Sequence, residues 1–372
     1  MLRGTIFVGE LCLLAATWCS PAFCFDKDDR DVAGAVYTMT NAAGANSVMV
    51  YDRLDDGTLK PAGMVSTGGS GSGSGLGTQG AMVLNNSNRW LLVVNAGSGD
   101  ITVFDVKHDR LESAGRFPSG GVMPVSITVK GRLVYVLNAG TPNNVTGFVL
   151  NNHGQLTPIP ASTRALSAPA TGPAEVEFSP DGDLLVVTEK GTNLIDVFPV
   201  ERSGLLGPRV STVSHGLTPF GFAFGKRNQL FVSEAFGGAT NASALSSYVV
   251  HEDGSLMLVT GSAPTHQTAA CWIVVDKGGR LTYTTNTGSS SISGFHIGAG
   301  GELKILNANG VTGATPAGSA PIDEAFSNDG RFLYTLTAGV TGISGFRVGP
   351  GGSLHSIGDV VAPAGAVGLA VR

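Results

Sequence analysis

The chain has 372 residues, of which 54 are glycine, 42% are apolar and only 14% are charged, and its formal net charge is −5. Short β-branched runs broken by Gly, Asn and Asp are typical of an all-β protein with many turns. The small negative charge and the lack of a Lys/Arg cluster argue against nucleic acid as a partner, because a phosphate backbone is bound by clustered basic side chains.

The N-terminal residues have the pattern of an export signal. An arginine precedes an apolar stretch from Leu11 to Trp18, and small residues follow just before residue 25. The apolar stretch is shorter than the ~18 residues that a membrane-spanning helix needs, so we expect no membrane insertion after cleavage. We predict a signal peptide over residues 1–24, one domain over residues 25–372, and a secreted or periplasmic protein. Cleavage would leave Cys271 as the only cysteine, without an intrachain disulfide.

One sequence repeat occurs seven times after this leader. Each copy has an apolar strand ending in Asn, Glu or Thr, a turn of small residues, and a second strand followed by a Gly-containing turn and leucine. The strand ends lie 43 to 54 residues apart, at Asn41, Asn95, Asn138, Glu189, Glu234, Asn286 and Thr337. A period of about 40–50 residues with four strands per repeat indicates propeller blades. We therefore predict an all-β, seven-bladed β-propeller with four-stranded blades.

The two ends of the repeat array predict how the ring closes. Six copies are preceded by one further strand, whereas the first copy follows the charged segment from Asp26 to Asp31. The last copy is followed by an unassigned strand, AVGLAVR, at Ala366 to Arg372. We expect this strand to complete the first blade in a 1+3 arrangement, because closure removes the exposed sheet edges.

Two segments carry a resemblance to a known family. The sequences GGSGSGSGLGTQGAMVLNNSNRWLLVVNAGSGDITVF, from Gly68 to Phe104, and GPAEVEFSPDGDLLVVTEKGTNLIDVF, from Gly172 to Phe198, resemble the lactonase family of seven-bladed propellers. That family includes bacterial 6-phosphogluconolactonases and fungal carboxymuconate-lactonising enzymes. The resemblance extends over nearly all of the chain after the leader, and it implies the same fold.

The residues that the resemblance implies for catalysis are only partly present. The family's His-Pro-His corresponds here to Gly172, Pro173 and Ala174, and its Pro-Arg-His corresponds to Pro219, Phe220 and Gly221. The basic partners that would act as acid, base or carboxylate clamp are therefore missing. Two acidic residues remain, Glu189 and Glu234, and we name them as candidate catalytic residues.

Further candidates lie where loops enter the predicted inner strands, since propeller ligands bind at one mouth of the central channel. There we expect a small-molecule or glycan ligand to be bound by Gln79, Glu175, Trp272 and Asp323. The alternative for each carboxylate is a structural role, accepting hydrogen bonds from turn NH groups or facing solvent.

Other sequence features are assigned to structure. The glycine-rich run from Gly68 to Gly80 lacks the Gly-Lys-Ser/Thr ending and the helix of a phosphate-binding loop. We expect a long loop that folds over the channel mouth and presents Gln79 and backbone NH groups to a ligand. The histidines lack metal-ligand spacing, so we expect neither a metal nor a cofactor. Cys271 is interpreted as a buried apolar residue or, with His266 as base, a nucleophile.

Three functions follow from these observations. The first is an exported lactonase-like enzyme, hydrolysing or forming a small organic-acid or carbohydrate lactone. The second is a non-catalytic propeller that binds a glycan, a small molecule or a protein. A sugar-phosphate lactonase of central metabolism fits less well, because the predicted mouth lacks basic residues. The sequence leaves open whether the protein is an enzyme at all, and we expect a monomer.

Overall fold

The computed structural model describes residue 1, residues 32–340 and residues 342–372, and the described residues from 32 onward belong to one compact unit. The predicted signal peptide lies outside the described residues, apart from residue 1. Within the described residues there are 30 β-strands and two short 3₁₀ helices, at Phe236–Gly238 and Pro350–Gly352. No helix in this part of the chain is long and apolar enough to cross a membrane.

The strands form seven antiparallel sheets, which we call blades 1 to 7. Blade 1 contains β1 (Val32–Met39), β2 (Ser47–Leu54), β3 (Leu59–Ser66) and β30 (Val367–Val371). Blade 2 contains β4 (Met82–Leu84), β5 (Trp90–Asn95), β6 (Asp100–Val106) and β7 (Leu111–Pro118). Blade 3 contains β8 (Pro124–Lys130), β9 (Leu133–Asn138), β10 (Asn144–Leu150), β11 (Leu156–Pro158) and β12 (Arg164–Ala165). Blade 4 contains β13 (Pro173–Phe178), β14 (Leu184–Glu189), β15 (Leu194–Pro199) and β16 (Val210–Val213).

The remaining three blades follow the same plan. Blade 5 contains β17 (Pro219–Phe224), β18 (Gln229–Glu234), β19 (Ala244–Val250) and β20 (Leu256–Pro264). Blade 6 contains β21 (Ala270–Val275), β22 (Leu281–Asn286), β23 (Ser291–Ile297), β24 (Leu303–Ile305) and β25 (Gly313–Ala314). Blade 7 contains β26 (Pro321–Phe326), β27 (Phe332–Thr337), β28 (Gly342–Val348) and β29 (Leu354–Val361). The prediction of a seven-bladed propeller is confirmed.

The C-terminal strand closes the ring as predicted. The strand order in blade 1 is β3-β2-β1-β30, so β30 is the innermost strand and the chain's first strands supply the other three. Val36 pairs with Val371, and Ala35 and Arg372 exchange both backbone hydrogen bonds. The two ends of the domain are thus joined in one sheet, and the 1+3 closure is confirmed.

Neighbouring blades pack through buried side chains, and tyrosines add hydrogen bonds between them. The second strands are almost wholly buried, because each faces a sheet on both sides. Tyr135 donates to the carbonyl oxygen of Gly204 at 2.8 Å, and Tyr283 donates to that of Gly352 at 2.8 Å. These glycines belong to the Gly-x-Leu turns of the following blades. The sequence repeat therefore encodes contacts between blades as well as the strands within them.

The inner strands set the axis of the molecule. They are β4, β8, β13, β17, β21, β26 and β30, and we call the face where they begin the upper face and the face where they end the lower face. A residue of left-handed conformation precedes several of them, with φ of 57° at Met123, 60° at Gly172 and 59° at Thr218. This turn brings each loop on the upper face toward the channel before the inner strand starts.

Candidate functional site: the central channel

The inner strands enclose a channel cavity of about 450 Å³. Its upper end is lined by Gln79, Glu175 and Asp323, and its lower end by polar residues that include Lys277 and Asn328. A cavity of this size lies in the range of small-molecule sites. We therefore take this cavity as the candidate ligand-binding site.

The glycine-rich loop closes the upper end of the cavity. The Thr78 hydroxyl donates to the carbonyl oxygen of Val125 in blade 3 at 2.9 Å, and the Gln79 NH donates to that of Ala174 in blade 4 at 3.0 Å. From blade 6, the indole Nε1 of Trp272 donates to the Thr78 carbonyl oxygen at 3.0 Å. The loop thus folds over the mouth as predicted, bonded to three blades.

The side chain of Gln79 is fully engaged in this closure. Its Nε2 donates to the carbonyl oxygen of Ile273 at 2.8 Å, and its Oε1 accepts from the Ile273 NH at 2.9 Å. We expected the Gln79 amide to be presented to a ligand. Because both ends of the amide are bonded to Ile273 of β21, a ligand would have to compete with these bonds.

A second repeated contact explains where the channel carboxylates come from. The third residue of an inner strand accepts a hydrogen bond from the fourth residue of the next inner strand. Ser126 Oγ accepts from the Val176 NH at 3.1 Å, and Glu175 Oε2 accepts from the Phe222 NH at 2.6 Å. Asp323, the third residue of β26, likewise accepts from the next inner strand, here from the NH of Leu369, the third residue of β30. These side chains satisfy backbone donors at the channel edge of the sheets, which would otherwise be unpaired.

Glycine interrupts this series in blade 5, where the third residue is Gly221. A Cβ there would collide with Oε1 of Gln79, the atom that accepts from the Ile273 NH. The loop amide thus takes the place of the missing side chain. The Gln79 amide therefore lies at the position where the resemblance to lactonases implies a basic residue.

One cation lies beside this closure. Lys190 Nζ donates to the carbonyl oxygen of Gly77 and lies 4.7 Å from the centre of the Phe220 ring. Burial lowers the pKa of Lys190 to about 8. Phe220 occupies the position of the family's arginine, so a cation approaches that place from the neighbouring blade. Lys190 is not among the residues that line the cavity.

Four carboxyl groups belong to residues that line the cavity, namely Glu175, Glu177, Asp323 and Glu324. Burial raises the pKa of all four, to about 8 for Glu177 and to about 7 for Asp323. The negative charges of Glu177 and Asp323 raise the pKa of Glu175 further. Because burial favours the neutral form, the channel holds protonated and ionised carboxyl groups together near neutral pH.

Glu324 and Glu177 differ in how far their carboxyl groups are exposed to the cavity. Glu324 is 3% exposed, and its two carboxyl oxygens are buried and have no hydrogen-bond partner among the described residues. Glu177 is partly exposed, and the nearby charge of Lys130 counteracts part of the effect of burial on its pKa. Glu177 is therefore the carboxyl group that a molecule in the cavity reaches most readily.

Three of the four predicted ligand-binding residues line the cavity, namely Gln79, Glu175 and Asp323. Trp272 does not. The residue is only 5% exposed, its ring centre lies 4.8 Å from that of Phe220, and its indole NH supports the loop. Ligand binding by the other three remains a prediction. The sequence did not reveal that the loop would shield Trp272 from a ligand.

The predicted catalytic residues Glu189 and Glu234 lie elsewhere. Glu234 is fully buried and accepts hydrogen bonds from the Gly216 NH at 2.8 Å, from Ser262 Oγ at 2.7 Å and from Ser246 Oγ. It does not line the cavity, and the same holds for Glu189. A catalytic role for Glu234 remains a prediction, and its packing favours a structural one.

Glu189 has an equivalent environment one blade earlier. Its carboxylate accepts from the Ser167 NH at 2.9 Å and from the hydroxyls of Ser167 and Thr192. It also raises the pKa of the buried Asp196 beside it, in addition to the effect of burial. In blade 2, Asn95 at the same repeat position bonds Asp100 and Thr102. The position therefore carries a polar link in several blades, whichever residue occupies it.

Three residues of the channel region, Glu177, Glu324 and Lys190, were missed from the sequence, although Glu177 and Lys190 each had a signal. Glu177 lies two residues after Glu175 on β13, and the alternation of a strand places both on one face. Lys190 follows Glu189, at a repeat position where the other six copies have Ala or Thr. This departure from the repeat was the signal that could have identified Lys190.

Two further possibilities considered from the sequence are a nucleophilic Cys271 and a metal site. Cys271 is free and buried, and burial raises its pKa to about 11, which disfavours a thiolate nucleophile. Among the described residues, no group of three or more His, Cys, Asp or Glu residues is arranged to hold a metal ion.

Comparisons with known proteins agree with this architecture. The family described as "Lactonase, 7-bladed beta-propeller" matches residues 34–169, which correspond to blades 1 to 3. A search of curated proteins gave no match.

Solved structures extend the likeness to the whole ring. A periplasmic gluconolactonase from Pseudomonas aeruginosa superimposes with a TM-score of 0.72 at 18% identity, over 91% of this chain and 98% of the other. A protein from Lactobacillus plantarum gives 0.73 at 16% identity, over 91% and 99%. A candidate 6-phosphogluconolactonase from Bacteroides uniformis gives 0.72 at 15% identity, over 92% and 100%. At these identities the likeness shows the fold, and the protein is a lactonase-like seven-bladed β-propeller.

Proposed function

We propose that the protein is an exported lactonase that hydrolyses a small, unphosphorylated lactone in its channel cavity. The observation that carries this proposal is the group of carboxyls with raised pKa around one cavity of about 450 Å³. Among the described residues, Lys277 is the only Lys or Arg that lines the cavity, and its ammonium donates to the Asn328 carbonyl oxygen at the lower rim. A phosphate group bound beside these carboxylates would lack a cationic partner. An uncharged substrate therefore fits the cavity better.

Asp323 and Glu177 have pKa values suited to the two proton transfers of lactone hydrolysis. With a pKa of about 7, Asp323 is partly ionised at neutral pH and can accept a proton from the attacking water. With a pKa of about 8, Glu177 is mostly protonated and can donate to the ring oxygen as its bond to the acyl carbon breaks. Asp323 holds the NH groups of Glu324 and Leu369, and a carboxylate retains acceptor sites beyond two such bonds.

The test is lactone hydrolysis by the wild type and by Asp323→Asn and Glu177→Gln. Each substitution should lower kcat/KM by about 10²–10⁴-fold, the usual contribution of one general acid or base. Glu252→Gln, an exposed residue away from the cavity, is the matched control. Turnover that survives both channel substitutions in folded protein would refute this mechanism.

A non-catalytic binding function is the second candidate. It is favoured by the contacts of Glu175 and Asp323, since both already serve as acceptors for backbone NH groups of the next blade. Saturable binding of lactones or polyols without turnover, lost in Glu177→Gln, would select this function over hydrolysis.

A further inference from the structure

The polar and apolar side chains of the cavity lie at different levels. The Gln79 amide comes from the loop, and the carboxyl groups come from the third to fifth positions of β13 and β26. Apolar side chains lie below them, above the polar lower rim that includes Lys277 and Asn328. Each inner strand has an apolar residue at or next to its lower end. In five blades this residue is partly exposed and lines the cavity, and we call this set the lower ring: Leu84, Val129, Phe224, Val275 and Phe326.

The lower ring packs against the hydrophobic cores between blades but is not fully covered by them. The corresponding residues of the other two inner strands, Phe178 and Val371, are buried. The five members of the lower ring instead leave apolar surface facing the same enclosed space. Water is held poorly by an apolar wall, whereas an aliphatic group there gains the free energy of leaving solvent.

The closed upper mouth gives the cavity a direction. Thr78, Gln79 and Gly80 are bonded to the surrounding blades above it, and Gly80 accepts from the Ile127 NH at 2.8 Å. The exposed Lys277 and Asn328 border the cavity below. A ligand that enters from below passes this polar rim, then the apolar lower ring, and then reaches the carboxyl groups.

We propose that the cavity binds an uncharged lactone with an aliphatic tail, the ring at the upper carboxyl groups and the tail along the lower ring. This rests on the proposed lactonase function and adds its substrate class. The carboxyl groups would contact the polar lactone ring, and the apolar lower ring would contact the tail. A sugar lactone would place hydroxyl groups against the lower ring, and an anionic lactone would place its charge near Glu175, Glu177 and Asp323.

The first test compares lactones that differ only in the tail. Hydrolysis rates are measured with δ-valerolactone, δ-hexalactone and δ-decalactone, and with glucono-δ-lactone as the polar competitor. We expect KM to fall with tail length by up to about fourfold for each fully buried methylene. Equal KM values across the series, or a preference for glucono-δ-lactone, would overturn the inference and leave the proposed hydrolysis standing.

The second test measures binding without chemistry. Calorimetry compares tetrahydropyran with a pentyl-substituted tetrahydropyran, which has the ring and tail of δ-decalactone but no carbonyl group. The substituted ether should bind at least tenfold more tightly. This result without lactone turnover would uphold the ligand class and overturn the hydrolytic function. Equal binding of the two ethers would overturn the ligand class itself.

Variants locate the tail within the cavity. Val275→Thr keeps the shape of the side chain and adds a hydroxyl to the lower ring, so it should weaken the tailed ether severalfold and leave tetrahydropyran unchanged. Val361→Thr makes the same exchange at a residue that is 77% exposed on an outer strand and should change neither. Equal effects of the two variants would contradict the assigned position of the tail.

Discussion

The side-chain amide of Gln79 fills the space that glycine leaves at position 221. Gln79 comes from the loop between blades 1 and 2, whereas Gly221 belongs to blade 5, so residues far apart in the chain share one hydrogen-bonding position. The Ile273 NH is thereby satisfied from the loop. Closure of the upper mouth depends on the absence of a side chain at residue 221.

Gly221→Ala should disrupt this closure. The added Cβ collides with the Gln79 amide, and we expect a loss of about 1–3 kcal/mol in the free energy of unfolding, typical of overpacking. Urea unfolding gives the stability, and hydrogen exchange of the Ile273 amide reports the lost bond.

Gly75→Ala is the matched control, because it lies in the same loop and a Cβ there has no neighbour within 4 Å. It should leave both measurements unchanged. Unchanged protection of the Ile273 amide in Gly221→Ala would mean that Gln79 does not depend on the space at residue 221.

Removal of residues 366–372 should destabilise the whole propeller. These residues form the inner strand of blade 1 and contact β4 and β26 of the adjoining blades. Without them the inner edge of β1 is unpaired and the ring is open at blade 1. We expect a much lower Tm or no cooperative transition in a thermal melt.

A point substitution tests the same strand more gently. Leu369→Ala should cost about 2–5 kcal/mol, since Leu369 is buried between blades. Val361→Ala, on the exposed outer edge, should stay within about 0.5 kcal/mol of the wild type. A truncated chain with the wild-type melting curve would refute the role assigned to the closing strand.

Glu234→Ala should lower stability more than it lowers intrinsic activity. It leaves three donors without their acceptor, on Gly216, Ser246 and Ser262, and each unpaired buried group costs about 1–3 kcal/mol. Denaturant unfolding and kcat/KM per folded molecule separate the two effects. If Glu234→Gln folds normally but loses turnover, the catalytic role predicted from the sequence would be restored.

Stability should decrease as the pH rises above about 5. The folded-state pKa values of the channel carboxyls and of Asp196 are raised above their unfolded values, so the native state binds more protons in this range. The free energy of unfolding should fall between pH 5 and pH 9 by on the order of a few kcal/mol.

Glu324→Gln isolates one contributor to this pH dependence. The amide cannot ionise, and the Glu324 carboxyl has no hydrogen bond to lose among the described residues. Urea unfolding at several pH values should therefore give a flatter profile for the variant than for the wild type. A wild-type stability that increases up to pH 9 would contradict the raised pKa values.

Hydrolysis should show a narrow optimum between about pH 7 and pH 8. The rate rises as Asp323, with a pKa of about 7, loses its proton and falls as Glu177, with a pKa of about 8, loses its own. A profile of kcat/KM against pH measures both limbs. Glu177→Gln should abolish the alkaline limb in its residual activity, and an unaltered limb would assign it to another group.

Much of the architecture was predictable because it is local and repeated. The strand ends at Asn95, Glu189 and Thr337 recur at similar intervals, and each blade needs only nearby residues to pair its strands. The unassigned strand at Ala366 to Arg372 had one available position, the missing inner strand of the first blade. Because every blade repeats the same set of strands, counting the strands was enough to predict this long-range pairing.

The role of individual carboxylates was less predictable. Glu189 and Glu234 were chosen by their correspondence to the family, and the structure buries both among hydroxyl and NH donors away from the cavity. Glu175 and Asp323 were placed correctly because the start of an inner strand must face the channel. Their function as acceptors for the next blade depends on distances between sheets, which the sequence does not contain.

The sequence by itself determined the number of blades, the four-stranded plan and the ring closure, since these follow from periodic burial along one chain. Only the tertiary structure decided which end of the channel is closed. Gln79 and Ile273 are separated by 194 residues and meet because the curvature of seven packed sheets brings them across the axis. Glycine at residue 221 permits that contact, and no local pattern distinguishes this glycine from the many that merely turn the chain.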